Sequence, residues 1–382
     1  MSISNIVTED ELLTLEISDV DLSFINAIRR IILSEIPCIA FRTEPYDDST
    51  VNIIKNTSSL HNEFISHRIG MIPIHIKDID NFEESNYKFI LNVKNEKNVK
   101  IDVTTKDINV YELDNTGKFS PVSSSKRDAI FPPDPISNDY ILITHLKPDN
   151  TGKNQGEQLH FEATAVKSIG KENSRWTTVC QSTFKYKIDE SKAKDAFTNL
   201  IKIEQNKKGE KLTENEIQKL QKRFRISQAD RYYHTNENLK PNKFIMNVES
   251  VGVLDPQDIF QQSIEILIQK LNNFIQNIKN ENIKVQKSNT IQNAVDLIIP
   301  NEDHTLGNII QSHMCSLYKI DNNNVNFVGY NQPHPLENYI VIRVGLGENT
   351  NIDKVKEFVI DCTNKIITIS TSFFNEFKKK RI

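Results

Sequence analysis

Residues 13–37 read LTLEISDVDLSFINAIRRIILSEIP, and residues 295–310 read VDLIIPNEDHTLGNII. In the first stretch Leu13, Leu15 and Ile17 alternate with Thr14 and Glu16, the period of a half-buried strand. Ser23 then stands where a helix cap belongs, and Phe24, Ile25, Ile28, Ile31 and Ile32 follow helical spacing until Pro37 stops the helix. The second stretch repeats the design: Val295, Leu297 and Ile299 alternate, and 301–304 lead into a helix beginning at Thr305. At a constant offset of 282, Leu13, Leu15, Ile17, Ser23, Phe24, Asn26 and Ile28 fall on Val295, Leu297, Ile299, Thr305, Leu306, Asn308 and Ile310 without a gap. This is an internal duplication.

Each copy runs on to a long helix. A strand over 243–253 precedes Asp255-Pro256, an N-cap followed by a proline at the first helical position. Phe260, Ile264, Leu267, Leu271, Phe274 and Ile278 then recur at spacings of 4 and 3, a seam that needs a partner helix. Strands near 325–328 and 339–344 precede a last helix that carries Val355, Val359, Cys362, Ile366, Ile369 and Phe373 in the same phase. The expected fold is α+β: two dimerisation units forming an intramolecular pseudo-dimer, seam against seam.

Residues 44–177 change character. Short apolar runs (89–93, 141–144) are separated by turn-prone clusters (114–117, 131–135, 148–156), which predicts a mostly β inserted domain. The first unit is then discontinuous, 1–43 and 178–288, and the second covers 289–382. Within the first unit, 188–231 reads as a helical excursion. Its part from 202 onward has nine Lys or Arg against five acids, a solvated helix face or a phosphate-binding patch. A polar linker, 280–289, joins the halves.

The chain has 382 residues, 37% hydrophobic and 26% charged, enough for more than one core. Its formal charge of -4 excludes a polybasic, histone-like chain. Cys38, Cys180, Cys315 and Cys362 lie far apart, which leaves zinc ribbons, redox dithiols and disulfide frameworks unsupported. The first residues carry acids and no basic region, and no stretch of about 18 uncharged apolar residues occurs, so neither secretion nor membrane insertion is expected. The 42 Asn, spread over the chain with many Ile and Lys, suit an AT-rich genome.

Phe24–Pro37, followed by LHNEFISHRIGMIPI over 60–74, resembles the larger alpha-like subunit of cellular RNA polymerases, with its N-A-(L/I)-R-R helix and H-R-(L/I)-G-(L/M)-I-P segment. GKENSRWTT (170–178) is similar to the segment that leaves that family's inserted domain, and VESVG (248–252) to the strand before its long helix. EDHTLGN (302–308), FVGY (327–330) and PHPLE (333–337) resemble the smaller alpha-like subunit. The resemblance implies a non-catalytic assembly scaffold of a DNA-directed RNA polymerase, holding the largest and second-largest subunits and small subunits, touching DNA only through the complex, with no membrane role and no homo-oligomer. Two subunits in one chain suggest a fusion of the kind expected in a large cytoplasmic DNA virus, located in the viral factory and virion; a cellular version would be nuclear. The larger subunit often holds zinc on clustered cysteines in its inserted domain. Here no cysteine lies between 38 and 180, so no metal and no cofactor are expected.

Candidate chemistry is thin. His61, Glu63, His67 and His75 fit no HExxH helix, and a strand-and-loop role is expected for them. Asp303, His304, Ser312 and His334 lack a nucleophile elbow, so no catalytic residue is assigned. Gly307 inside a helix start points to close packing, expected against a neighbouring helix. Partner-interface candidates are Asn26, Arg29, Arg30, Arg68, Thr305, Gly307 and Asn308. By the resemblance the Arg29-Arg30 helix faces the second-largest subunit, and the Thr305 helix is expected to face the largest. Arg29-Arg30 stands against Gln311-Ser312 at the same offset, a difference able to tell two partners apart. Arg68 either joins that contact or pairs with Glu63. The alternative to a scaffold is a stand-alone nucleic-acid-binding module using 202–231.

Overall fold

The structure is a computed structural model that describes residues 1–114, 116–149, 156–317, 325–346 and 351–381. Positions 115 and 150–155, in two of the turn-prone clusters, lie outside the described residues. In chain order, β1 (Ser2–Glu9), β2 (Leu12–Ser18) and α1 (Leu22–Ser34) come first. Then follow β3 (Pro37–Ala40), β4 (Val51–Asn56), α2 (Asn62–Gly70), β5 (Tyr87–Lys94), β6 (Ile101–Thr104), β7 (Asn109–Leu113), β8 (Phe119–Pro121), α3 (Ser124–Ile130), β9 (Leu142–Leu146), β10 (Gln158–Ala163) and β11 (Val166–Ile169). The first half resumes with β12 (Val179–Tyr186), α4 (Glu190–Lys208), α5 (Glu214–Ser227), β13 (Lys243–Ser250) and α6 (Pro256–Lys279). The second half is β14 (Lys284–Lys287), β15 (Ala294–Pro300), α7 (His304–Leu317), β16 (Phe327–Asn331), β17 (Tyr339–Gly345) and α8 (Ile352–Lys380).

The chain forms two compact units, one of residues 1–32, 181–249 and 256–382, the other of 33–180 and 250–255. The second unit thus begins at Leu33 rather than 44, because β3 pairs with β11, Cys38 opposite Ser168. It holds a five-stranded sheet in the order β4-β10-β5-β7-β8, with Phe41, Phe89 and Phe131 in edge-to-face contact.

In the first unit two four-stranded sheets share one order, β1-β2-β13-β12 and β14-β15-β17-β16. The register of the two central strands repeats as well: Lys243 at the start of β13 lies opposite Ser18, and Tyr339 at the start of β17 lies opposite Pro300, which is Ser18 shifted by 282. Edge strands β1 and β14 begin at equivalent positions, Ser2 and Lys284, and so do helices α1 and α7, at Leu22 and His304. The polar linker therefore contains a strand, whose partner β15 supplies the apolar side chains while Lys284 and Lys287 stay exposed. Leu13, Leu15, Ile17, Phe244, Met246 and Val248 are buried on one face, as are Leu297, Ile299, Ile340, Ile342 and Val344 on the other sheet. Among the described residues no helix is long and apolar enough to cross a membrane.

Helices α6 and α8 pack against each other, antiparallel. Phe260 near the start of α6 meets Phe377 near the end of α8 at 4.8 Å between ring centroids, Arg381 reaches Asp258 at 2.6 Å, and Lys356 reaches Glu281 at the opposite end at 3.6 Å. All six apolar positions of the α6 seam are buried, and so are Val355, Val359, Cys362, Ile366 and Phe373 of α8. Ile369 is only half-buried; Ser370 takes the seam position in its place, its hydroxyl donating to the Ile366 carbonyl at 2.8 Å. The 4, 3 spacing slips to 4, 4 there, because a straight helix of 3.6 residues per turn drifts against a 3.5-residue seam. Phe377 extends the buried row by one more turn.

Candidate functional site: the internal pairing interface and its flanks

The two short helices are capped alike, by a residue the duplication also relates. Asp21 accepts from the Ser23 amide at 2.8 Å, and Asp303, its equivalent at 282, accepts from the Thr305 amide at 2.8 Å. Ser23 is therefore not the cap; it sits inside α1, buried, and donates its own hydroxyl to Asp21. A carboxylate at this position also meets the positive end of the helix dipole.

These caps are where the halves cross. Arg30 on α1 donates through Nε to the Thr305 hydroxyl at 2.9 Å and lies 3.4 Å from the Asp303 carboxylate. On the other side Ser312, the equivalent of Arg30, donates to Asp21 at 2.9 Å. A contact between one position and the cap of the other copy, made in both directions, is the signature of an isologous interface inside one polypeptide. Burial pushes the Asp21 carboxyl upward, but the Ser23 hydroxyl and amide and the Ser312 hydroxyl outweigh it and hold the group below the ordinary aspartate value. His313, buried on the same helix, is held below the ordinary histidine value by its burial; its ring is 2.9 Å from the Ile309 carbonyl.

The aromatic centre joins the copies again: Phe24 meets Phe373 edge-on at 5.3 Å, and Phe373 meets Phe260 at 6.1 Å. Lys270 on α6 binds Glu302 ahead of α7 at 3.1 Å, with 10% and 20% of the two side chains exposed. Its counterpart is absent, since Val20 replaces Glu302 at the equivalent position and Lys365, aligned with Lys270 in the seam phase, pairs with Asp361 on its own helix. Burial raises the Cys362 thiol to about 12, so it behaves as an apolar seam residue.

The other candidate residues spread over several surroundings. Arg30 and Thr305 are engaged with each other across the halves, and Thr305 is buried. Gly307 is buried under the Tyr330 ring of β16, where a Cβ would come within 2.4 Å of the ring; the close neighbour is thus an aromatic on a strand, not a helix. Asn26 and Arg29 are half-buried on α1, the guanidinium donating to Asn26 at 3.0 Å, and burial together with the adjacent Arg30 holds Arg29 below its ordinary value. Asn308 is half-buried on α7.

In the other unit, residues 62–70 are helical rather than strand and loop, because Ile65 and Ile69, four apart, bury one face of α2. Arg68 is exposed and donates to the Leu142 carbonyl at 2.7 Å, not to Glu63. Gly70 packs against Arg175 and Thr43, and its carbonyl accepts from the Trp176 indole at 3.3 Å, which ties the two resemblance segments 60–74 and 170–178 together. Among the described residues no group of three or more His, Cys, Asp or Glu side chains is placed to hold a metal ion. Ser312 is spent on Asp21, and the His334 ring accepts from the Leu336 amide at 3.1 Å, so neither forms a nucleophile and base pair with the other.

Two α/β copies paired by a helix seam and reciprocal cap contacts define a dimerisation platform built within one chain. Residues 14–271 match the RNA polymerase Rpb3/Rpb11 dimerisation domain, residues 294–376 match a second form of that domain, and the chain belongs to this family. It is 27% identical over 298 residues to a conjugation stage-specific protein of Tetrahymena thermophila, covering 66% of this chain and 86% of that one. With the DNA-directed RNA polymerases I and III subunit rpac1 of Dictyostelium discoideum it shares 29% over 284 residues, 68% of this chain and 76% of the relative. The RNA polymerase II subunit rpb3 of the same organism is 26% identical over 311 residues, 71% and 95% of the two chains.

Proposed function

We propose that this chain is the non-catalytic assembly scaffold of a multisubunit DNA-directed RNA polymerase, in which the paired halves nucleate binding of the two largest subunits. The observation that carries the reading is the reciprocal contact of Arg30 with Asp303 and Ser312 with Asp21, which closes a heterodimer-like platform in one polypeptide. The platform's flanks differ: α1 offers Asn26 and Arg29, and α7 offers Asn308; in the other unit, Arg68 on α2 is a candidate of its own. We assign the α1 flank to the second-largest subunit and the α7 flank to the largest. Arg29 is the residue best suited to discriminate, since a guanidinium pairs bidentately with carboxylates across interfaces. Arg30, Thr305 and Gly307 act by holding that platform in shape.

The test is co-expression of the full chain with each large subunit separately. Arg29→Glu is expected to lose the second-largest subunit and keep the largest, with unchanged circular dichroism. Undiminished capture of both would contradict the assignment. We further read the single chain as a fusion of the larger and smaller alpha-like subunits in a virally encoded polymerase working in cytoplasmic factories and packaged in virions; the AT-rich composition supports this. Mass spectrometry of purified virions and of nuclear polymerase fractions from the source decides it.

A further inference from the structure

The α4–α5 hairpin has no counterpart in the second half, where β16 and β17 are joined over residues 332–338. It is firmly held. Phe197 meets Phe224 at 5.4 Å, Phe224 stacks on Tyr232 at 5.8 Å, and Asp189 caps α4 through the amides of Ser191 and Lys192. With Phe224 buried on one side of α5, the opposite side carries Lys219, Lys222 and Ile226 in line at spacings of 3 and 4, flanked by Arg223 and Arg225. All five are exposed, Ile226 to 76%. The hairpin's acids lie elsewhere: Glu204 pairs with Lys207, and Glu216 binds Lys208 at 2.7 Å and the Thr213 amide at 2.8 Å. From Gln218 to Ser227 there is no acid, and among the described residues no ion pair reaches these four cations.

We propose that this face of α5 docks an acidic protein segment in which an apolar side chain sits between carboxylates. Lys222, Arg223 and Arg225 adjoin the exposed aliphatic side chain of Ile226, which ends the row, and such an arrangement complements a peptide that offers both charge and an apolar anchor. Two of the four are arginines, whose forks match carboxylates. A nucleic acid fits the same charge less well. Phosphates leave Ile226 uncovered, and the face has no aromatic ring on which a base could stack. The proposal stands on the hairpin alone, so its failure would leave the scaffold reading untouched.

Full-length protein is titrated at low salt into three fluorescent probes: an acidic peptide with a central Leu-Leu pair, the same peptide with Ser-Ser, and a short DNA duplex of matched charge. The Leu-Leu peptide is expected to bind tightest. Ile226→Ser should weaken it about fivefold or more toward the Ser-Ser peptide, whereas Lys222→Glu with Arg223→Glu should weaken both peptides about tenfold or more. Circular dichroism checks that these exposed substitutions leave the fold intact. Tightest binding to the duplex, unaffected by Ile226→Ser, would make the face a phosphate-binding surface and overturn the proposal. Equal or undetectable binding of the two peptides would overturn it as a merely solvated helix.

Discussion

The two halves of the platform begin their first two strands and short helices at equivalent residues and pair their two central strands in the same register, yet they differ at the edge, where Ser2 lies opposite Ser18 but Lys284 opposite Ile298, and wherever a connection leaves the sheet. After α1 the first half sends the chain through residues 35–178 before returning in β12, while the second half goes from Leu317 to Phe327. Between its last two strands the first half raises α4 and α5; the second makes a turn. The pairing face is kept where its residues meet the other copy, as Phe24, Arg30, Phe260, Lys270 and Ser312 do, whereas loops at the sheet ends answer to no such constraint. Asymmetry also enters the pairing face at two points, Arg30 against Ser312 and Glu302 against Val20. At both, the charged member sits where its partner is charged as well.

Breaking the shared seam should have the largest effect. Leu271→Asp or Ile366→Asp places a carboxylate in a fully buried apolar row, and even truncation to Ala at such a site costs about 2–5 kcal/mol. Urea unfolding of the Asp variants is expected to show loss of the cooperative native transition, and the Ala variants a lowered midpoint.

Next comes the asymmetric pair. Removing Glu302 leaves the Lys270 ammonium, 10% exposed, without this carboxylate, and breaking a buried pair costs about 3–5 kcal/mol, less here because Glu302 keeps some solvent. Glu302→Val, which copies Val20 of the first half, should therefore destabilise more than Val20→Ala, and Lys270→Met in the same chain should recover most of the loss.

The reciprocal contacts give a smaller and graded effect. Arg30→Ala removes a charge-assisted contact of about 1.5–3 kcal/mol, Ser312→Ala a neutral donor to a carboxylate near the low end of that range, so thermal melts should rank the first as the more damaging. Equal losses would mean that the copies are more alike than their side chains suggest.

Smallest is a pH effect at the Asp21 cap. Its folded value lies below the unfolded one, so its contribution is present above the ordinary aspartate range and is lost as pH falls through the folded value. Asp21→Asn should lower stability at neutral pH and flatten the decline on acidification below about pH 4. An unchanged acid limb would place the acid sensitivity in other carboxylates.

The duplication was legible because β2 and β15, and α1 and α7, carry apolar side chains at positions that the same offset relates, and burial follows such patterns. The long helices were legible for the same reason. The edge strands β1 and β14 were not, since their polar faces show no alternation and they form by backbone pairing to a buried neighbour. The cap of α1 was missed by two residues: Ser23 looked sufficient, and only the offset applied to Asp21 and Asp303 would have shown that both copies put a carboxylate there. Arg30 illustrates a harder limit. Its sequence setting marks a cation for a contact with an outside partner, and the acceptor that claims it lies 275 residues away in the other copy, a relation no local pattern contains.

The central claim is that the halves pair within one chain. Sedimentation equilibrium of the full-length protein at micromolar concentration tests it most directly: a single species of 44.0 kDa is expected. A stable dimer that falls apart when Leu271 or Ile366 is made charged would show that the seams pair between chains and would contradict the account.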